Sequence, residues 1–384
     1  MADIEPDMNG SRTRIFSIGL IAATLLLAAA PALAQNSDYQ SRLAQYTQAY
    51  QAYDEVASAY WDDVSDKRRI RNAKRRASEP IHATDYVLTQ PPVYTGPPRP
   101  VDPNAPPGPR PDERPPIPLL ADFLKAGVEQ FGFVPDRPTE LEFKRAYAKA
   151  AGAVGLTREQ IVGVYAFETG GNGTYDMQSG VTPTRPTAIS PAIGYNQLLS
   201  TNSVSILHEF GARIVATLRQ RAATMTGPSK AAMERKIEAL KRMIAYARTV
   251  PHNWNEFDRL AKTTPGGLGI HATILDRDVG PILQVQKLAS SLHFARTKHY
   301  TAPLTAAELE LMNLTGDGNG FDMLTMPHDL RAQVPTANFF QRNGYERNPV
   351  ARRTGTVANL IADIEKQMAR GAQSPGAKDL ASAF

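Results

Sequence analysis

Proline sets the strongest constraint on this chain. From Gln90 to Pro118 it reads QPPVYTGPPRPVDPNAPPGPRPDERPPIP, and the 30 prolines of the sequence are far sparser elsewhere. Proline at this density removes backbone donors and disfavours helix at each preceding residue, so the stretch reads as an extended, polyproline-like linker. We take residues 81–118 as linker and expect a folded domain over 119–384, with a separate segment over 35–80 and a leader over 1–34.

The leader rests on its own pattern. Arg12 and Arg14 precede the apolar run IFSIGLIAATLLLAAA, followed by Pro31 and the small-residue triplet Ala32, Leu33, Ala34 before Gln35. This is the layout of a secretory signal peptide cut after Ala34, which predicts an exported, periplasmic protein. The competing reading is an uncleaved segment anchoring the chain in the inner membrane, since Ile15 to Ala34 is about long enough to span a bilayer. There is no cysteine, so thiolate catalysis and thiolate metal sites are excluded and an exported domain must rely on its core. The net charge is +5. The leader holds two arginines against three acids, Asp3, Glu5 and Asp7, so removing it leaves +6. A basic exported protein suits an anionic envelope partner, a wall polymer or lipid headgroup, and export argues against nucleic acid.

Between leader and linker, Tyr39, Leu43, Tyr46, Tyr50 and Tyr53 recur at spacings of three and four, followed by Val56 and Tyr60. The spacing predicts an amphipathic helix from about Tyr39 to Arg76 with one aromatic face, which must pack on something: the main domain, a second copy, or an envelope protein partner. Its end, KRRIRNAKRR from Lys67 to Arg76, reads as a solvated helix end, with anionic lipid or wall polymer as the other reading.

Beyond the linker the pattern is helical, and the fold class expected is mainly α. Thr139 with Glu142 and Thr157 with Gln160 have capping-box spacing. Further helices are signalled by Val204, Leu207, Gly211, Ile214 and Leu218, by Met233, Ile237, Leu240 and Ile244 before Pro251, and by Val279 to Arg296. Short extended pieces could lie between Gly170 and Ser190. The helix opened by Thr157 presents Ile161, Val164, Tyr165 and Glu168 on one stripe, so a lone carboxylate falls on the face to be buried, directly before Gly170, Gly171 and Gly173. A Glu before a loop is ordinarily exposed. On this stripe, burial would raise its pKa and let it act as a general acid, with the glycines allowing a close turn around it.

The segment FETGG, then AISPAIGYNQLLSTNS from Ala188 to Ser203, then LELMNLTGDGNG from Leu309 to Gly320 together resemble the lysozyme-like lytic transglycosylases of the soluble type. Glu168 and Thr169 match that family's Glu-Ser, Ser190, Gly194 and Gln197 match its Ser-rich turn with Gly-Leu-Met-Gln, and Asn313 matches the Asn of its Ala-Tyr-Asn. Thr169 departs from the usual Ser, Tyr195 and Asn196 from Leu and Met, and Met312 from Tyr, which bears on the shape of the sugar groove. The resemblance spans roughly Thr139 to Tyr345. It implies cleavage of the β-1,4 bond between N-acetylmuramic acid and N-acetylglucosamine in peptidoglycan glycan strands. Glu168 would protonate the leaving oxygen and then deprotonate the muramic 6-hydroxyl to close a 1,6-anhydro ring, so that one carboxylate suffices where most glycosidases need two. It also implies that Thr169, Ser190, Gly194, Gln197 and Asn313 line the substrate groove; Tyr345 is a fainter candidate for a hydrogen bond to Glu168, its more ordinary reading being a buried structural tyrosine. A hydrolysing muramidase would need a second acid, for which Asp176 is the nearest candidate although a loop Asp is usually a turn residue. A domain that binds or scaffolds the wall without turnover is the alternative from a different class.

Other chemistry finds little support. The seven histidines form no HExxH pair, and His208 before Glu209 reads as an ordinary helix residue. DGNGFD, from Asp317 to Asp322, looks like half a calcium loop but lacks the Glu at the loop's twelfth position, and reads as a turn. No Gly-x-Ser-x-Gly or phosphate-binding loop occurs. No metal, nucleotide or other cofactor is expected.

Overall fold

Capping chemistry opens several of the helices. Thr139 Oγ1 accepts from the Glu142 amide while Glu142 bonds back to the Thr139 amide at 2.8 Å, and Thr157 and Gln160 repeat the arrangement. Each box satisfies amides that a helix start would leave bare. The computed structural model describes residues 18–105, 116–346 and 348–384, with side chains from residue 36 onward. It is mainly helical, and among the described residues only isolated bridges such as Gln178–Ile193 and Thr182–Arg185 represent β structure. The residues read as a signal peptide fall outside the described side chains. Among the described residues no helix is long and apolar enough to cross a membrane.

The elements are α1 (Ile18–Arg76), α2 (Leu120–Phe131), α3 (Glu140–Ala153), α4 (Arg158–Thr169), α5 (Ser200–Ala223), α6 (Gly227–Ala247), α7 (Trp254–Thr263) and α8 (Pro265–His271). They are followed by α9 (Gly280–Thr297), α10 (Ala306–Thr315), α11 (Asp317–Leu324), α12 (His328–Arg331), α13 (Arg342–Glu346), α14 (Pro349–Thr354), α15 (Val357–Gly371) and α16 (Pro375–Ala381). The chain divides into two compact units, one of residues 1–63 with 91–114, the other of residues 64–90 with 115–384.

In the first unit the tyrosine stripe of α1 does find a partner. The ring of Tyr94, from the proline-rich segment, lies edge-on to Tyr50 and Tyr53 with centroids 5.6 and 5.5 Å away, and 6.1 Å from Tyr46. The linker therefore packs along the helix through this aromatic residue instead of standing wholly free.

In the second unit α4 packs on α10 and α15, α3 on α9, α10 on α9 and α11, and α16 closes over α3 and α4. A second layer joins α5 to α6, α7 and α8, with α8 resting on α2. One apolar core runs through both, from Phe123 and Phe143 through Ile161, Leu207 and Leu240 to Leu360. The end of α1 also belongs here, which corrects two expectations: the domain gathers residues 64–90 from ahead of the linker, and the basic run is not a solvated end. Arg71, 1% exposed, donates to the carbonyls of Asp85 (2.8 Å) and Asn338 (3.0 Å) and lies over the Tyr86 ring. Arg68 donates to the Asn338 and Phe340 carbonyls, Lys74 pairs with Asp85 at 2.7 Å, and Arg75 with Asp322 at 2.7 Å. Arginine suits this role because its planar fork satisfies several carbonyls at once and stacks on an aromatic face. Asn338 completes the clasp by exchanging hydrogen bonds with both backbone groups of Val87.

Candidate active site

The acid Glu168 owes its position to the two ends of α4. At the start, the Thr157 box fixes the helix phase, so that Ile161, Val164 and Tyr165 are fully buried. One turn later on the same stripe, Glu168 is half-buried. At the end, Gly170 takes the left-handed conformation (φ 65°), as a helix-terminating glycine commonly does, and Gly171 follows at φ 80°. Thr169 turns its hydroxyl onto the Tyr165 carbonyl at 2.6 Å and accepts from the Gly171 amide. That hydroxyl thereby helps to close the helix end.

Opposite Glu168 stands α10, opened by a third capping box, Thr305 with Glu308. It presents Glu310 and Asn313 three residues apart, neighbours on one helix face. The Asn313 amide nitrogen donates to Glu168 Oε1 at 3.0 Å and also lies 3.4 Å from each oxygen of Glu310. Glu310 is fully buried, and the shared Asn313 amide sets its carboxyl beside that of Glu168. Burial pushes the Glu168 carboxyl up to about 7, against the pull of Glu310, Asn313 and the Lys287 ammonium on α9. Burial and then the neighbouring Glu168 charge push Glu310 well above the usual carboxylate range. A carboxyl with this balance is half protonated near neutrality, which suits it to give a proton and take one back.

The turn from Ser190 to Gln197 is tied to the same helices. The Asn196 amide donates to Gln284 Oε1 and its side chain to the Gln284 carbonyl, at 2.9 and 2.8 Å, fixing the turn to α9. Asn196 Oδ1 accepts from the Tyr147 hydroxyl of α3 at 2.9 Å, and both Glu310 and Glu168 act electrostatically on that tyrosine, raising its pKa behind the effect of burial. Gly194, at φ 84°, has no room for a side chain: a Cβ would lie 2.2 Å from Gln284 Nε2. Gln197, also at positive φ, folds its amide back onto the Gly194 carbonyl at 2.8 Å. Ser190 Oγ accepts from the Ala192 amide within the turn.

Of the residues singled out in the sequence, Glu168 and Asn313 are thus in direct contact, and Gly194 and Gln197 share the turn that reaches toward them through Asn196 and Tyr147. Tyr345 is buried on α13, where it bonds to the Thr336 side chain. Glu168 is held by Glu310 and Asn313 instead. Asp176 pairs with Arg137 and accepts from Thr174 Oγ1 at 2.7 Å, as a loop residue would. Asp317 to Asp322 lie in α11 and do not form a turn: Asp317 accepts from Ser291 Oγ at 2.6 Å and Asp322 from Arg75. Glu310 and Tyr147 were not singled out in the sequence. A signal for Glu310 did exist, since it is an acid set between Leu309 and Leu311 and three residues before Asn313.

Beneath the Ser190–Gln197 turn, His271 is fully buried, with Nε2 3.0 Å from the Pro191 carbonyl and Nδ1 2.8 Å from Ser203 Oγ. A proton on Nε2 is donated to Pro191, leaving Nδ1 to accept from the serine. Burial pulls this ring down to about 4. In the unfolded chain it binds a proton below about 6.5, so the unfolded state takes up the proton first. Stability should fall as pH drops from about 6.5 to about 4, by roughly 3 kcal/mol in all. Buried carboxyls such as Glu168 contribute with the opposite sign, so the difference between parent and His271→Gln isolates the ring: melting temperatures across that window should fall more steeply with acid in the parent. Equal slopes would mean the ring is already charged in the fold.

Two cavities lie elsewhere in this unit and are lined by other residues. One, of about 720 Å³, involves Phe210, Arg213, Gln286 and His293; the other, of about 480 Å³, involves Phe133, Met233 and Lys236. Among the described residues, no group of three or more His, Cys, Asp or Glu side chains is arranged to hold a metal ion. Comparison with protein-family models, curated proteins and solved structures finds no match to the chain.

Proposed function

We propose that this chain is an exported lytic transglycosylase with a lysozyme-like catalytic domain, cleaving the muramic acid–glucosamine β-1,4 bond of peptidoglycan with Glu168 as acid and then base. The observation that carries the reading is the contact between Glu168 and Asn313, the two residues farthest apart in the resembling segments, around a carboxyl held near 7. In its protonated form Glu168 gives its proton to the glycosidic oxygen as the C1–O4 bond breaks. The resulting carboxylate takes the proton of the muramic 6-hydroxyl as O6 bonds to C1, which returns the acid to its starting state. Glu310 does not supply the second carboxylate of a hydrolase. Inverting enzymes keep their pair about 6.5–9.5 Å apart with water between, whereas Glu310 shares one Asn313 amide with Glu168 and has no exposed surface. Asp176 is occupied by Arg137.

A second reading, wall binding without turnover, draws on Gln197, whose amide is spent on Gly194. The products separate these readings. The full chain incubated with purified sacculi should release muropeptides with anhydro ends. Reducing ends would replace the transglycosylase with a muramidase, and co-sedimentation without soluble products would replace it with a binding protein.

A further inference from the structure

A buried acid that touches the proposed catalytic acid calls for an explanation, because an unpaired buried carboxyl is costly. Glu310 has no exposed surface, and its side-chain partners are Asn313 and Glu168. The other groups bearing on the pair are the Lys287 ammonium from α9 and the Tyr147 hydroxyl from α3. The other charged side chains on the helices packed against α10 are engaged elsewhere or exposed, Arg158, Glu159, His293, Arg296 and Arg370 being exposed. The acids of α11 are engaged by Ser291 and Arg75, Asp363 of α15 by Arg353, and Glu365 and Lys366 of α15 face solvent.

A protonated Glu310 can donate to Glu168; an ionised one would set two carboxylates against each other in a dry site. We infer that Glu310 is a positioning residue that keeps its own proton throughout and donates it to the Glu168 carboxylate, with Asn313 clamping both, so that the pair passes between two protons and one. The role in turnover rests on the transglycosylase reading; the shared proton arrangement does not. During turnover the Glu168 proton leaves to the glycosidic oxygen and the 6-hydroxyl proton comes back, while the Glu310 proton stays. The geometry favours this assignment, since Glu310 has no exposed surface while Glu168 is only half-buried, so the charge is better placed on Glu168. Coupling between the two is necessarily reciprocal.

The test is a carboxyl titration of the full chain labelled with ¹³C at the glutamate side-chain carboxyls, followed by NMR, with Glu168→Gln and Glu310→Gln identifying the two resonances. In the parent, Glu310 should remain protonated while Glu168 titrates near pH 7. In Glu168→Gln, Glu310 should ionise at a pH lower by roughly one unit or more, the scale of coupled sites. In Glu310→Met, which cannot donate, Glu168 should titrate higher; Glu310→Gln, whose amide can donate, should hold it near the parent value. A merely structural Glu310 would not divide Met from Gln in this way. If Glu310→Met does not fold, the Glu168→Gln arm still decides. An ionised Glu310 at pH 7 in the parent, or an unmoved Glu310 midpoint in Glu168→Gln, overturns the inference. Coupled titration in a protein that leaves sacculi intact would retain the pair and sink the enzyme; cleavage with independent titrations would do the reverse.

Discussion

Replacing Glu168 by Gln should slow the release of anhydro-muropeptides from sacculi by roughly 10²- to 10⁴-fold, the usual loss for a general acid–base group. The substitution keeps the size of the side chain and leaves an amide oxygen to accept from Asn313, so the site should persist while its transferable proton is gone. Stability gives an independent check on the same variant. The Glu168 carboxyl is raised in the fold to about 7 from an ordinary 4.5, so the native state binds the proton more tightly than the unfolded chain. That contribution is present at acid pH and is lost as pH rises through about 7. At pH 8 the Gln variant should therefore melt no lower than the parent, and above it if desolvation of the carboxylate dominates. Loss of activity without loss of stability is the signature of a residue kept for function. A variant that digests sacculi as fast as the parent would remove Glu168 from the mechanism, and a variant that melts well below it would make Glu168 a structural residue.

What was legible in the sequence is what local pattern encodes. The capping boxes at Thr139 and Thr157 open α3 and α4 where expected, the 204–218 and 233–244 spacings become α5 and α6, and Val279 to Arg296 matches α9 to within a residue at each end. The stripe Ile161, Val164, Tyr165, Glu168 told which face of α4 is buried. It could not tell what lies opposite, because a helical period names a face and not its partner. Glu310 is far along the chain from Glu168 and comes beside it only when α10 packs on α4. The run from Lys67 to Arg76 misled for the same reason: several of its acceptors are carbonyls of Asp85, Asn338 and Phe340, and backbone carbonyls have no composition to read. The segment from Asp317 to Asp322 reads as a turn in sequence because it looks like half a calcium loop without the final Glu, and glycines such as Gly318 and Gly320 ordinarily weaken a helix. Tertiary packing overrides that here: Gly320 sits where a Cβ would lie 2.4 Å from the Met312 Cα, so only glycine lets α11 fold back on α10.

The same close approach of backbones sets the second large effect, at Gly171. A Cβ there would lie 2.0 Å from the Gly371 carbonyl oxygen, and one on Gly371 would lie 2.5 Å from the Ala166 carbonyl oxygen, so the end of α4 and the end of α15 meet backbone to backbone. Around this contact Ser374 Oγ donates to the Gly170 carbonyl at 3.1 Å and the Gly376 amide donates to Asn172 Oδ1 at 3.1 Å. The C-terminal segment thereby grips the turn directly after Glu168. Gly171→Ala combines a left-handed conformation that costs about 1–3 kcal/mol for a side-chain residue with a clash against backbone that cannot swing away, worth a further ~1–3 kcal/mol as overpacking. Gly170→Ala, at φ 65° with nothing within 4 Å of its Cβ, incurs the conformational cost alone. Urea unfolding should rank the two, with Gly171→Ala the less stable by more than 1 kcal/mol. Because a displacement of about 1 Å at a catalytic group can cost about 10²-fold in rate, Gly171→Ala should also lose activity in its folded fraction, where Gly170→Ala keeps most of it. Equal stabilities would show that α15 yields to α4 at no cost, and the glycines would then owe their place to the helix stop alone.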